Sequence, residues 1–278
     1  PALETLNNVK TGKYGLSRIA NRIDGRKMPT VFIVDMKREK AGTAISNILK
    51  DKLAQRLENG EQAILFLNRR GYSKIFECPD CGTVEECPHC SVSMTWHKRE
   101  DIIKCHLCGY TAKAPRVCRK CGSPKAKWRG TGTQKIEEAI SAMFPAARIG
   151  RMDRDAMKRR DNYRKVLGDF RNGKLDILVG TQMIAKGLDF PRVTLVGIIE
   201  ADISLHMPDF RAAEKTYQLI VQVAGRAGRG TADGEVIVQT LTPESAPIQY
   251  AKRDDMESFL EEELENRTEY GYPPATRL

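Results

Sequence analysis

A chain of 278 residues has room for one large domain, or for one domain carrying a smaller module. Hydrophobic residues make up 41% and charged residues 29%, enough apolar material for a buried core, which excludes general disorder. Lys and Arg number 46 against 36 Asp and Glu, a net charge of +10 that favours a polyanionic partner. No stretch approaches the roughly 18 apolar residues of a membrane span, and no apolar segment near the start resembles a signal peptide. The expectation is a soluble, cytoplasmic protein.

The elements alternate. Residues 29–36 (PTVFIVDM) predict a buried strand. Residues 43–58 predict a helix with Ile45, Ile48, Leu49, Leu53 and Leu57 on one face and Gly60 as its stop. Residues 62–68 (QAILFLN) predict a second strand. After a cysteine-rich interruption, the pattern resumes with a helix at 134–143 closed by Pro145, a short strand at 147–151 and a helix at 161–171. Strands at 175–181 and 192–202, a helix at 210–223 and a strand at 234–240 follow. Strands rich in Val and Ile, separated by helices, predict a parallel sheet covered on both faces, with ligand loops at the strand C-termini, here after Thr181 and Asp202. A long polar helix at about 244–269 is expected to leave this domain. The domain boundaries are 1–75 and 131–243 for the α/β lobe, 76–130 for the insertion, and 244–278 for a helical linker towards a further domain.

Charge is uneven along the chain. Residues 104–129 hold eight bases and no acid, whereas 251–278 hold eight acids against four bases.

The eight cysteines all fall within the insertion, as four CxxC pairs: Cys78/Cys81, Cys87/Cys90, Cys105/Cys108 and Cys118/Cys121. A CxxC turn puts two thiolates on one side of a tight loop, ready for a tetrahedral metal, and four pairs make two closed sites suited to zinc. A disulfide cluster, which does not suit a chain without a secretory signal, and iron–sulfur clusters are the lesser alternatives. Sequential pairing would join the first two knuckles across only five residues. Nesting is easier: Cys87, Cys90, Cys105 and Cys108 form one site around a short ribbon, and Cys78, Cys81, Cys118 and Cys121 close the base. His89 and His106 then sit beside the sites as neighbours, because eight thiolates already fill them. Two tetrathiolate zinc sites carry roughly −4 in formal charge, so the ten bases and six acids of 76–130 leave the loaded module near neutral, with its bases partly offsetting thiolates. Trp96 and Trp128 are placed to pack on the ribbon or to stack on bases.

Two loops carry further chemistry. VGTQMIAKGLDFP follows a strand and offers backbone N–H groups, the Thr181 hydroxyl and a helix start to phosphate oxygens, with Gly187 allowing close approach and Asp189 able to accept from a ribose. QVAGRAGR ends a helix, with Arg226 and Arg229 three apart, and guanidinium groups bind and stabilise phosphoryl oxygens.

These segments resemble motifs V and VI of superfamily 2 helicases. ILFLNRRGYS followed directly by a double zinc knuckle, together with FRAAEKTYQLIVQVAGRAGR and PALETLNNV, is similar to the PriA family of primosomal replication-restart helicases over nearly the whole chain. The resemblance implies a RecA-like second helicase lobe with a double zinc-ribbon insertion, part of an ATP-dependent 3′–5′ DNA helicase that restarts stalled forks and helps assemble the primosome. It implies Arg226, Arg229 and Gln222 at the triphosphate, Gly187 and Asp189 at the nucleotide, and Arg69, Arg70, Thr181 and Gln182 on DNA, with Arg69 and Arg70 alternatively anchoring the zinc module. Two zinc ions per chain, and ATP and Mg in the intact enzyme, are the implied cofactors. Forked and single-stranded DNA, primosome proteins and single-stranded-DNA-binding protein are the implied partners. No GxxxxGK[ST] phosphate loop or acidic Mg-binding box occurs in the chain, so the isolated lobe is expected to be inactive. The rival readings are a non-enzymatic zinc-ribbon adaptor for nucleic acid and another superfamily 2 translocase with a zinc insertion.

Overall fold

The computed structural model describes residues 2–17, 28–40, 42–67, 75–97, 100–125, 127–129, 133–153, 157, 160–185, 190–228 and 233–276. Its helices are α1 (Leu3–Lys10), α2 (Asn47–Glu58), α3 (Thr133–Met143), α4 (Arg160–Arg171), α5 (Gln182–Ala185), α6 (Asp202–Leu205), α7 (Ala212–Ala224), α8 (Ala246–Arg253) and α9 (Met256–Glu269). The strands of the lobe are β1 (Thr30–Asp35), β2 (Gln62–Leu67), β8 (Ile149–Met152), β9 (Ile177–Gly180), β10 (Val193–Ile199) and β11 (Glu235–Thr240). Between β2 and β8 the insertion adds β3 (Ile75–Glu77), β4 (Thr95–His97), β5 (Ile102–Lys104), β6 (Thr111–Lys113) and β7 (Lys127–Arg129).

The lobe strands form one parallel sheet in the order β1-β11-β10-β2-β9-β8. Its central strands β2, β9 and β10 read as continuous apolar runs because both faces are buried. Leu65 and Leu67 of β2, Ile177 and Val179 of β9, and Leu195 and Ile199 of β10 face one side, against Leu49 and Leu53 of α2 and Ile136 and Ile140 of α3. Ile64, Phe66, Leu178, Val196 and Ile198 face the other, against Phe170 of α4, Ile220 and Val223 of α7, Ile248 of α8 and Phe259 of α9. The period-2 alternation of one strand thus serves two helix layers.

Two expectations are corrected. The predicted helix at 43–58 starts only at Asn47, because Ser46 caps it by accepting from the Leu49 N–H at 3.2 Å while its own N–H donates to Gln239 Oε1. Ile48, about 100° round the helix from Leu49, lies off the buried face and is 49% exposed. The polar helix expected at 244–269 is not continuous and does not leave the lobe. Asp254 takes a left-handed conformation (φ 56°) that ends α8, and the Asp255 side chain caps α9 by accepting from the Ser258 N–H. The turn sends α9 back onto the lobe, burying Phe259 and Leu260, with Phe259 stacked on Tyr217 of α7 at 4.4 Å.

Within the insertion, β3 and β7 pair antiparallel as a stem, Phe76 opposite Trp128, and β4-β5-β6 form an antiparallel ribbon.

Candidate metal centre and lobe edges

All four CxxC pairs fold into the same turn. The N–H of the first cysteine donates to the carbonyl five residues on (Cys78 to Thr83, Cys87 to Val92, Cys105 to Tyr110, Cys118 to Ser123) at 2.8–3.0 Å. The N–H four residues on returns to the carbonyl of the first cysteine, from Gly82, Ser91, Gly109 and Gly122. Those four residues all have positive φ, 48–80°. The residue after each CxxC therefore belongs to the motif, and the sequence signals it as CxxCG three times and CxxCS once.

The sulfurs gather in two groups, Cys78, Cys81, Cys118 and Cys121, and Cys87, Cys90, Cys105 and Cys108, each with its ligand atoms within 4.8 Å of one another. Sulfur–sulfur distances of 3.6 Å recur (Cys78–Cys121, Cys81–Cys118, Cys87–Cys108). A tetrahedral zinc with Zn–S bonds of about 2.3 Å sets its sulfurs roughly 3.8 Å apart, and a disulfide sets them about 2.05 Å apart. The spacing fits zinc and excludes disulfides. Without a cation the thiols of one group cannot all ionise. The Tyr110 backbone N–H holds Cys108 at about 7, whereas burial and the neighbouring Cys108 push Cys90 up to about 12. A divalent ion removes that conflict. His89 lies beside Tyr110 (5.3 Å between rings) and His106 beside His97 (5.5 Å), outside both sulfur groups. Trp96 packs against the cluster of Met94, Ile103 and Cys105, with its Nε1 on Asp101 Oδ1 at 3.3 Å.

Part of the module's basic charge is matched by its own acids. Arg116 pairs with Asp101 (2.6 Å), Arg119 with Glu85 (3.1 Å) and Lys125 with Asp80 (3.2 Å), so the acids of the module take them up.

Among the described residues, two close contacts seat the module on the lobe. Gly82, φ +73°, lies against the loop leaving β11: a Cβ on it would stand 2.7 Å from the Leu241 carbonyl oxygen. At the second point the Tyr272 hydroxyl donates to the Cys90 carbonyl at 2.8 Å. The β11 loop is itself fixed by Asp202. That carboxylate, 4% exposed, accepts from the Thr240 and Thr242 hydroxyls and the Leu241 and Thr242 N–H groups at 2.6–3.2 Å. Asp202, expected to open a ligand loop, is committed to structure, a role the sequence did not signal because its partners lie about 40 residues away.

The loop residues divide between the two ends of the sheet. Thr181, half-buried, follows the C-terminal end of β9, with its N–H donating to the Met152 carbonyl at the end of β8. Beside it Asp153, 4% exposed, accepts from the Thr133 hydroxyl at the start of α3 and pairs with Arg151 (3.1 Å). Gln182 opens α5. Gln222 is exposed on the last turn of α7, and Arg226, half-buried, follows that helix, its N–H donating to the Val223 carbonyl. This turn is anchored at the opposite, N-terminal end of the sheet, where the Gly228 N–H donates to the carbonyl of Val193, the first residue of β10 (3.0 Å). Gly234, just before β11, lets it close: a Cβ there would meet the Ala227 carbonyl carbon and the Gly228 nitrogen at 2.6 Å. Arg69, Arg70, Gly187, Asp189 and Arg229 lie outside the described residues.

The model of the helicase conserved C-terminal domain matches residues 132–231, which run from α3 through the Arg226 turn. With the parallel sheet, this makes the lobe a RecA-like helicase C-terminal lobe. The model of the PriA DNA helicase Cys-rich region matches residues 87–113, the inner sulfur group and its ribbon. The replication restart protein PriA of Bacillus subtilis (strain 168) is 48% identical over 277 residues, 99% of this chain and 34% of its own length. That of Treponema pallidum (strain Nichols) is 43% identical over 278 residues, 100% of this chain and 42% of its own. The chain belongs to the PriA family and spans roughly a third to two fifths of the length of these relatives. A solved structure of RecG bound to a three-way DNA junction overlays on 87% of this chain and 26% of its own at 16% identity, with a TM-score of 0.41, too loose to refine the assignment.

Proposed function

We propose that this chain is the second motor lobe and zinc module of an ATP-dependent 3′–5′ DNA helicase that acts in replication restart in the cytoplasm. The observation that carries this is the division of the loop residues between opposite ends of one parallel sheet. At the N-terminal end, Arg226 leaves α7 on a turn held by the Val193 carbonyl and by Gly234. Arg226, at that end, presents its guanidinium group to the terminal phosphate of a nucleotide held chiefly by a first lobe, with Gln222 supporting the loop, and Arg229 shares that role. Gly187 and Asp189 contribute to the nucleotide. Thr181 and Gln182, at the C-terminal end, meet the phosphates of single-stranded DNA, a role that Arg69 and Arg70 share. Separate ends let nucleotide-dependent closure of two lobes move a strand without the two ligands competing. The zinc module, with its four knuckles held as one unit, serves strand separation and the docking of primosome proteins and single-stranded-DNA-binding protein.

ATP with Mg supplies the phosphoryl chemistry, and this chain has neither a phosphate loop nor an acidic Mg box. The 278-residue chain alone therefore releases no phosphate from ATP and binds DNA weakly and salt-sensitively. In the full-length protein, Arg226→Ala and Arg229→Ala each lower DNA-stimulated ATP hydrolysis by about a thousandfold, with zinc content and folding unchanged. Near-normal turnover in both variants, or phosphate release by the isolated chain, overturns the reading.

A further inference from the structure

The acidic C-terminal segment is wired into the lobe through one buried arginine. Arg267 of α9 is 2% exposed. Its Nε donates to Glu263 Oε1 at 2.9 Å and its Nη2 to Glu214 Oε2 at 2.6 Å. Glu214 sits in the first turn of α7, and its other oxygen accepts from the Leu3 N–H of α1 and from Gln218 Nε2. An ion pair this deep persists only when every group in it is matched, so it fixes α1, α7 and α9 together. The same guanidinium lies 5.3 Å from the ring centre of Phe210, which stacks on Tyr272 at 5.1 Å with the planes 14° apart. The Tyr272 hydroxyl donates to the carbonyl of Cys90, a member of the inner sulfur group.

A continuous series of contacts thus runs from α7, the helix that delivers Arg226, to the inner zinc knuckle. We propose that Arg267 and Tyr272 are positioning residues that couple the inner zinc site to α7, so that the module and the arginine-bearing helix move as one. Contiguity alone does not establish coupling, so the decisive observable is the response of one end to a change at the other. The consequence for translocation rests on the motor-lobe reading; the coupling itself does not.

The test uses the zinc-loaded 278-residue chain challenged with excess chelator, release being followed with a coloured zinc indicator and site identity by amide hydrogen exchange. Tyr272→Phe keeps the ring stack and removes only the hydrogen bond. One zinc ion per chain is expected to leave about threefold to tenfold faster, the range that one hydrogen bond supplies, while the other leaves at the wild-type rate. Faster amide exchange is expected at residues 87–93 and through α7. Arg267→Met is expected to reproduce the faster release at the inner site and to raise exchange in α7 further; if it fails to fold, Tyr272→Phe decides. Unchanged release of both ions, equal acceleration of both, or faster release with no change in α7 overturns the coupling. If ATP turnover fails its own test while release at the inner site quickens, the coupling stands and the motor reading falls; the reverse result sinks the coupling alone.

Discussion

Gly82 of the outer zinc knuckle rests against the carbonyl of Leu241 at the exit of β11, with no room for a side chain between them. A left-handed turn and a close backbone approach meet at one residue. Gly82→Val is therefore expected to strain the knuckle and to lift the module from the lobe. Amide exchange should quicken at 78–83 and 240–242, while the β4-β5-β6 ribbon and its inner site keep their zinc. Unaltered exchange at Leu241 would show that the contact is incidental.

Metal analysis is expected to find two zinc ions per chain. Structural zinc contributes on the order of 10–16 kcal/mol in small metal domains. Removing it should unfold 76–130 and leave the parallel sheet, whose two cores contain no cysteine. Circular dichroism should retain its helical signal after chelation, and exchange protection should vanish in the insertion, weaken in α7 and persist in the sheet.

Asp202 accepts from four donors in a buried site. Asp202→Ala takes the acceptor from the Leu241 N–H and from both threonine hydroxyls, while the Thr242 N–H keeps Thr240 Oγ1 at 3.0 Å, and is expected to cost about 3 kcal/mol, read as a lower denaturant midpoint with an unchanged slope. Because the same loop seats Gly82, the outer knuckle should loosen as well.

The Arg148 side chain, bonded to Asp176 through Nε at 3.0 Å, holds the Asp176 carboxyl below the usual carboxylate range. A depressed carboxylate stabilises the fold above its unfolded pKa, about 3.9, and that contribution fades as pH falls through the lower folded value. Stability should therefore drop with acid below about pH 4, and Asp176→Asn should flatten that part of the profile while lowering the plateau at neutral pH. Equal acid slopes for the two proteins would remove the pair from the balance.

Gly234→Ala should displace the Ala227–Gly228 backbone and with it Arg226. In the full-length protein the expected result is a fall in the kcat for ATP, with KM for DNA and zinc content held.

The central strands β2, β9 and β10 were legible because burial on both faces writes each one as a nearly unbroken apolar run, as in QAILFL, whereas the edge strands β1 and β8 are only partly buried. The cysteine spacing carried the zinc knuckles, and loop length favoured the grouping in which the sulfurs stand. Side chains whose partners are remote in sequence were not legible. Ile48 stands next to the buried row in sequence, yet it lies about 100° round the helix from Leu49, outside the row of Leu49 and Leu53 that meets the sheet. The 251–278 segment carries an excess of acids, and the i,i+4 pair of Glu263 and Arg267 looks like an ordinary surface pair, because the partner that draws Arg267 inside, Glu214, is 53 residues earlier. Asp202 hid in the same way. Of the loop residues, the sequence indicated the motifs, but not that Thr181 and Arg226 stand at opposite ends of the strands.

The stem in which β3 and β7 pair directly has an architectural consequence. The polypeptide departs from the lobe and rejoins it side by side, so the cysteine-bearing stretch behaves as a cassette plugged into one socket. The sheet can be assembled around that socket whatever the cassette holds, and trimming it to a short hairpin would spare the strand order. What such a trim would forfeit is the pair of bolts, at Leu241 and at Tyr272, that turn a hinged appendage into a fixed tool.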